Sequence, residues 1–249
     1  MAIVEASKLV QPVIVWFRLT ESMGAPDIAE TRAVLSLDER ARCDRFFLER
    51  DQRDFAAAHT LLRRALSLDG GLPPISWQFR SDAAGKPFLV GRSELEFNIA
   101  HTPGLVACAL SLEGPIGVDV ELVDHARDTE EIAERYFAEP EIVALKACAP
   151  GLERQTRFTE LWTLKEAYLK ALGVGLRKPL NEFGFQLISG SIQHLNVSTE
   201  RGNWRFGLFA PLPNYRLAVA VRANPSLKFC VRMWPPEKNI ILSPLYISQ

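Results

Sequence analysis

The spacing of apolar residues changes period several times along the chain, and the order of those changes constrains the fold more than any other feature. A two-residue alternation in "PVIVWFRL" (12–19) gives way, past a polar loop, to helical spacing. Ser36 and Glu39 form an S-x-x-E capping box that opens a helix over "LDERARCDRFF". A second helix starts near Asp51 and stops at Gly70-Gly71. In its "RDFAAAHTLLRRALSL", Phe55, Ala58, Leu61, Leu62, Ala65 and Leu66 share one side, while Arg53, His59, Arg63 and Arg64 lie towards the other. Short strands "ELEFNIA", "LVACALSL" and "IGVDVELV" follow, punctuated by Pro103-Gly104 and Gly114-Pro115, as in an antiparallel meander. Helical spacing returns in "DTEEIAERYF", in "PEIVALKAC" and over 158–172. The chain closes with strand-like "FGFQLI", "WRFGLF" and "YRLAVAVR" before the pattern fades beyond Asn224 into a Pro-containing tail. Strand, helices, strands, helices, strands is the order of an α+β fold, open to two similar halves meeting near residue 114.

With 249 residues and 47% apolar content, the chain can bury a sizeable core. Its formal net charge of −1 provides no global field for nucleic acid or an anionic membrane, so any anion site must be local. The first nineteen residues lack a basic n-region, and Gln11 and Pro12 interrupt their apolar run, so neither a signal peptide nor a membrane span is expected. Cys43, Cys108, Cys148 and Cys230 show no C-x-x-C spacing, which favours reduced thiols in a cytoplasm over a zinc site or disulfide framework.

Two stretches carry candidate chemistry. In "GPIGVDVELV", Ile116, Val118, Val120 and Leu122 point to one side of a strand, and Gly117, Asp119 and Glu121 to the other. Neighbouring carboxylates cost free energy unless something neutralises one of them, so this face either meets water or holds something. Oxygen donors without His or Cys would suit Mg2+, which keeps few carboxylates and completes its shell with water and phosphate.

The second stretch is "FTELWTLKEAYLKALGVGL" (158–176), where Leu161, Leu164, Tyr168 and Leu172 form a core-facing stripe beside a second stripe of Trp162, Glu166, Lys170 and Gly173. One reading is a surface Glu166–Lys170 pair with a glycine cap. Another is half of a phosphate and metal site, with Glu166 as a third carboxylate. Lys165, between the stripes, must snorkel outward or reach a buried anion.

Taken together, "GKPFL" (85–89), "FNIAHTPG" (97–104), "IGVDVE" (116–121) and "WTLKEAYLKALGVG" (162–175) resemble, in order and spacing, the signature blocks of the Sfp-type 4′-phosphopantetheinyl transferases. The resemblance implies a pseudo-dimer of two similar α/β halves, 1–113 and 114–249, each with a small antiparallel sheet packed by helices and with the active site in the cleft between them. It implies coenzyme A as substrate, Mg2+ as cofactor, and transfer of the 4′-phosphopantetheine group to a serine of an apo acyl or peptidyl carrier protein, releasing adenosine 3′,5′-bisphosphate.

By matching positions, Asp119, Glu121 and Glu166 are expected as metal ligands, and Lys165 and Lys170 near the pyrophosphate. Lys86 and His101 are expected to contact the coenzyme, with Thr102 as a nearby donor because Ala100 stands where a serine is common. His59 occupies the place of a 3′-phosphate-binding arginine, with Arg53 or Arg63 as substitutes, and Glu141 is a further acidic position that relatives bring towards the active site. The serine proton would pass to a carboxylate, most simply Glu166. With both half-sites on one chain a monomer is expected. Fatty-acid, polyketide and nonribosomal-peptide carriers stay open, and secondary metabolism is the favoured setting. A phosphatase or nuclease using the same carboxylates, and a relative that binds without turning over, are the rival readings.

Overall fold

The computed structural model describes residues 13–68, 71–83, 85–123, 129–196 and 203–248. The readings made above on residues 1–12, Gly70 and Asp128 lie outside them. In chain order the elements are β1 (Val13–Leu19), α1 (Ala25–Val34), α2 (Leu37–Cys43), α3 (Glu49–Ser67), β2 (Phe79–Ser81), β3 (Pro87–Leu89), β4 (Glu96–Thr102), β5 (Leu105–Ser111), β6 (Ile116–Leu122), α4 (Thr129–Tyr136), α5 (Glu139–Ala147), α6 (Leu152–Leu172), β7 (Phe183–Ile188), β8 (Ser191–Asn196), β9 (Trp204–Phe209), β10 (Tyr215–Arg222), β11 (Val231–Met233) and β12 (Tyr246–Ser248). The class is mixed α+β. The chain divides into two compact units, Met1–Leu112 with Phe229–Ile241, and Glu113–Lys228 with Leu242–Gln249.

The first unit is built on a sheet of order β11-β1-β5-β4, antiparallel except for the parallel pair of β1 and β11. The apolar side of α3, with Ala58, Leu61, Leu62, Ala65 and Leu66, joins Trp16, Phe97, Val106, Cys108 and Leu110 in one core. The capping box of Ser36 and Glu39 forms as expected: the Ser36 hydroxyl accepts from the Glu39 amide at 3.2 Å, and the Glu39 carboxylate accepts from the Ser36 amide at 2.8 Å. The helix it opens ends at Cys43, short of the "DRFF" that periodicity assigned to it.

One helix was not expected. The stretch read as a polar loop contains α1, whose sequence APDIAETRAV has almost no apolar stripe and buries Thr31 alone. Its start is marked instead by Pro26, a residue suited to a first helical turn. This helix and α2 change the setting of α3. Thr60 donates to the Thr31 carbonyl, Arg64 pairs with Glu30 of α1, and Arg63 pairs with Glu39 of α2, so much of the polar side of α3 faces other helices rather than water.

The second unit carries a sheet of order β6-β10-β9-β12-β8-β7, antiparallel except where β12 meets β8. On one face lies α6, packed by Leu161, Leu164, Ala167, Tyr168 and Ala171 against Phe206, Leu208, Ala218 and Ala220. The closest approach is at Gly117, where a Cβ would overlap the Ala167 carbonyl oxygen and the Ala171 amide nitrogen. Gly117 therefore lets strand and helix backbones touch. The face of β6 shared by Gly117, Asp119 and Glu121 is thus the helix-covered one.

The segment beyond Asn224, read as a fading tail of the second half, is structural in both units. Val231–Met233 runs beside Val15–Phe17, the Trp234 amide donates to the Phe17 carbonyl at 2.7 Å, and Trp234 packs edge-on against Trp16. In the second unit β12 is an interior strand between β9 and β8. Neither strand exceeds three residues, too short for an alternation to register.

Candidate active site

Almost every side of α6 is buried between Phe158 and Ala171, except a strip at Trp162, Glu166 and Lys170 that is only partly covered. This is the second stripe of the sequence reading. Gly173 closes the helix at φ 69°, its amide donating to the Leu169 and Lys170 carbonyls. Because Gly117 draws β6 against the same helix, the next inward residue of the strand, Asp119, comes under the strip.

Lys170 does not make the surface pair with Glu166 that helix spacing offers. Its ammonium donates across to Asp119 Oδ1 at 2.6 Å. Asp119 is 6% exposed, so the carboxylate end of this ion pair is out of water while Lys170 keeps partial exposure. Burial, reinforced by the charge of Asp119 and opposed by that of Lys170, holds the Glu166 carboxyl above the usual carboxylate range. Glu121 follows Asp119 on the same side of β6, opposite Arg216 of β10, whose guanidinium is held by Glu160 of α6 at 3.2 Å. The structure thus groups Asp119, Glu166 and Lys170.

Among the described residues, no cluster of three or more His, Cys, Asp or Glu side chains is set to hold a metal ion. The donors nonetheless suit a hard cation. Two oxygen-bearing groups stand close enough for one charge to disturb the other, and a small divalent ion needs few carboxylates when water and phosphate supply the rest.

For Lys165 and Glu141 the outcome differs from the resemblance. Lys165 reaches a buried anion: both side chains are fully buried, 2.7 Å apart. The lysine also donates to the Leu180 and Phe183 carbonyls, while Glu141 accepts from the Ala138 and Phe185 amides. Burial is the leading influence on each, pushing the Glu141 carboxyl up and the Lys165 ammonium down, against their mutual attraction. With its three donors occupied, Lys165 is a tie between α6, α5 and the start of β7 rather than a pyrophosphate contact. Glu141 likewise turns into the core, where its carboxylate caps α5.

In the first unit, Arg63 is neither a solvated residue nor a phosphate clamp. It is 2% exposed, pairs with Glu39, donates to the Pro74 and Trp77 carbonyls, and lies over the Phe79 ring. His59 packs against the Phe55 ring at a tilt of 31°, with Nδ1 donating to the Phe55 carbonyl at 3.0 Å. Burial holds its imidazole below the ordinary histidine range, so at neutral pH it carries no charge for a phosphate.

Arg53 keeps partial exposure beside Asp54. Lys86 stands in the turn of the β2–β3 hairpin and pairs with Glu96 at 3.0 Å. His101 is exposed near the end of β4, and Thr102 beside it is buried. Two buried participants escaped sequence reasoning. Glu160 sits one residue from the core stripe of α6, and Asp54 lies in the mixed-charge start of α3 beside Arg53 and Asp51, so neither produces a periodic signal.

A family model described as the 4′-phosphopantetheinyl transferase superfamily matches residues 115–220, the stretch holding Asp119, Glu166 and Lys170. A second, described as 4′-phosphopantetheinyl transferase, N-terminal, matches residues 25–113. The 4′-phosphopantetheinyl transferase HetI of Nostoc sp. strain PCC 7120 is 35% identical over 197 residues, covering 78% of this chain and 81% of that protein. The chain belongs to the 4′-phosphopantetheinyl transferase superfamily.

Within that family, the 4′-phosphopantetheinyl transferase Sfp of Bacillus subtilis strain 168 is 28% identical over 185 residues, covering 74% of this chain and 81% of its own. A solved structure, the holo-acyl-carrier-protein synthase of Thermotoga maritima, matches at 23% identity and a TM-score of 0.37, over 45% of this chain and 64% of that one, an overlap too small to bear on the site.

Proposed function

We propose that this protein transfers the 4′-phosphopantetheine group of coenzyme A to a serine of an apo acyl or peptidyl carrier protein and releases adenosine 3′,5′-bisphosphate. The observation that carries the reading is the grouping on one strip of α6 and β6: a carboxyl with raised proton affinity, an ammonium, and the aspartate that holds it. Membership of the transferase family supports the same reaction.

Glu166 has the environment of a general base. Its carboxyl binds a proton more tightly than an exposed carboxylate, which brings it closer to the serine hydroxyl it must deprotonate. The serine oxygen forms a bond to the phosphorus bearing the pantetheine arm. The bond from that phosphorus to the bridging oxygen breaks, and the electron pair leaves with the adenosine bisphosphate. Lys170, with one donor engaged by Asp119, has two more to direct at the departing phosphate. Asp119 keeps that ammonium aimed. Asp119 and Glu166, with Glu121 nearest along the strand, would hold Mg2+, which when bound supplies neutralisation of the diphosphate charge.

Lys86, His101, Thr102 and Arg53 are assigned to the coenzyme's adenosine end. Arg53 takes the 3′-phosphate place that a neutral His59 and a fully engaged Arg63 do not fill. The reading further has the polypeptide acting as a monomer in the cytoplasm. Incubation with coenzyme A, Mg2+ and a panel of apo carriers from fatty-acid, polyketide and nonribosomal-peptide systems tests it by intact mass. A gain of one phosphopantetheine on at least one carrier is expected, most readily on those of secondary metabolism. A panel that stays unmodified refutes the reading.

A further inference from the structure

Asp54 carries a charge that the fold itself does not require. The residue lies in the second turn of α3 and is 2% exposed. Its Oδ1 accepts the hydroxyl of Thr20 and lies 3.4 Å from Arg53 Nε, and its Oδ2 accepts the Gly104 amide at 3.2 Å. Thr20, itself without solvent exposure at the end of β1, donates its amide to the Gly104 carbonyl at 2.9 Å. Both backbone polar groups of Gly104 are therefore held, one by α3 and one by β1. Gly104 sits at φ 86°, in the turn between β4 and β5 that directly follows His101 and Thr102.

A buried carboxylate is an expensive way to hold a turn, because a neutral acceptor would satisfy the same hydroxyl and amide without the loss of ionic hydration. Among the described residues, the cation paired with Asp54 is the partly exposed Arg53, at a distance longer than a strong charge-assisted bond. A negative charge in this place has a use if it fixes Arg53 and the turn behind His101 relative to each other. The arrangement is then ready before a ligand arrives, which avoids ordering it at the moment of binding.

We infer that Asp54, with Thr20, is a positioning residue that sets Arg53 and the His101–Gly104 turn in one arrangement for the 3′-phosphate end of coenzyme A. The inference rests on the transferase reading above. It concerns binding of the phosphorylated adenosine and not the chemistry at Glu166, so its signature is a change in KM for coenzyme A at nearly constant kcat.

Initial rates with coenzyme A and with 3′-dephospho-coenzyme A, an apo carrier as acceptor, and thermal melts are measured for the wild-type protein, Asp54→Asn, Thr20→Val and Thr20→Ser. Asp54→Asn and Thr20→Val are expected to raise KM for coenzyme A about tenfold, the size of losing one charge-assisted hydrogen bond, with kcat within about twofold. KM for the dephospho substrate stays nearly constant, so the preference for the 3′-phosphate shrinks by the same factor. Thr20→Ser, which keeps the hydroxyl, retains wild-type constants. If Asp54→Asn does not fold, the near-isosteric Thr20→Val carries the test. Variants that melt lower yet keep wild-type KM and preference overturn the inference and leave a structural clamp. A wild-type protein that uses neither coenzyme overturns the transferase reading, and the inference with it.

Discussion

Glu166 and Lys165 are neighbours in sequence with opposite fates, and the difference is one of direction around a helix. Residues a single position apart are turned by about 100°, which places Glu166 on the partly covered strip and Lys165 in the core. The raised proton affinity of Glu166 has a sign that can be checked. A carboxyl whose folded value lies above its unfolded one binds more protons when folded, so its contribution favours the fold at low pH and is lost as pH rises through the folded value.

At neutral pH its charge is therefore a cost to stability, kept for its chemistry. Glu166→Gln is expected to raise Tm at pH 7, which thermal melts of the two proteins check. In the metal-free protein the Glu166 carboxyl should titrate above the ordinary carboxylate range, and lower in Asp119→Asn, which removes a charge that raises it. A carboxyl unmoved by that change, followed by NMR, would separate the two groups.

The Lys165–Glu141 pair makes a different prediction: Lys165→Met strands a buried carboxylate and should cost about 3–5 kcal/mol in denaturant titrations, whereas Lys165→Met with Glu141→Leu should recover much of it. If the single variant is as stable as wild type, the pair does not hold α6 to α5.

At the scale of elements, the site depends on how closely β6 approaches α6. Asp119 meets Lys170 because the strand carries a glycine two residues earlier, where the helix backbone lies against it. Gly117→Ala should push the two apart, costing about 3 kcal/mol by overpacking and lowering transfer well beyond the stability loss. Wild-type turnover in a folded Gly117→Ala protein would show that the approach is dispensable.

The two stripes of α6 were legible because a 21-residue helix samples its period many times. The alternation of β6 was equally clear, although sequence alone left open whether its acidic side met water or a partner. What covered that side is a long-range fact, supplied by α6, whose Lys170 lies 51 residues after Asp119. The same limitation explains Arg63 and His59. Their face of α3 reads as polar, and partners outside the helix show why it is buried: Arg63 reaches Glu39 of α2 and the Pro74 and Trp77 carbonyls, and Thr60 between them donates to Thr31 of α1. Asp54 and Arg216 were invisible for a related reason, since each is defined by partners distant in sequence.

For the molecule as a whole, the order of periodicities was enough to give a mixed α+β class, and the scattered cysteines remain thiols, Cys43, Cys108 and Cys230 of them buried. Composition could not reveal that the last twenty residues supply one edge strand to the first unit's sheet and one interior strand to the second's. β11 joins β1 in parallel, and β12 joins β8 in parallel and β9 in antiparallel, each across a long stretch of chain that leaves no hairpin signature in sequence. Truncation after Lys228 should therefore abolish cooperative thermal unfolding. A dispensable tail would leave the transition in place.

The proposed reaction asks the molecule to combine a coenzyme-holding region with a proton-accepting carboxyl, and the latter is the claim on which the account turns. Its most direct test is the rate of phosphopantetheine transfer by Glu166→Gln at saturating coenzyme A and carrier, followed by intact mass beside the wild-type protein. The account predicts a fall of about a hundredfold or more, the usual worth of a positioned base, in a protein that remains folded. A variant that transfers within about threefold of the wild-type rate would contradict it.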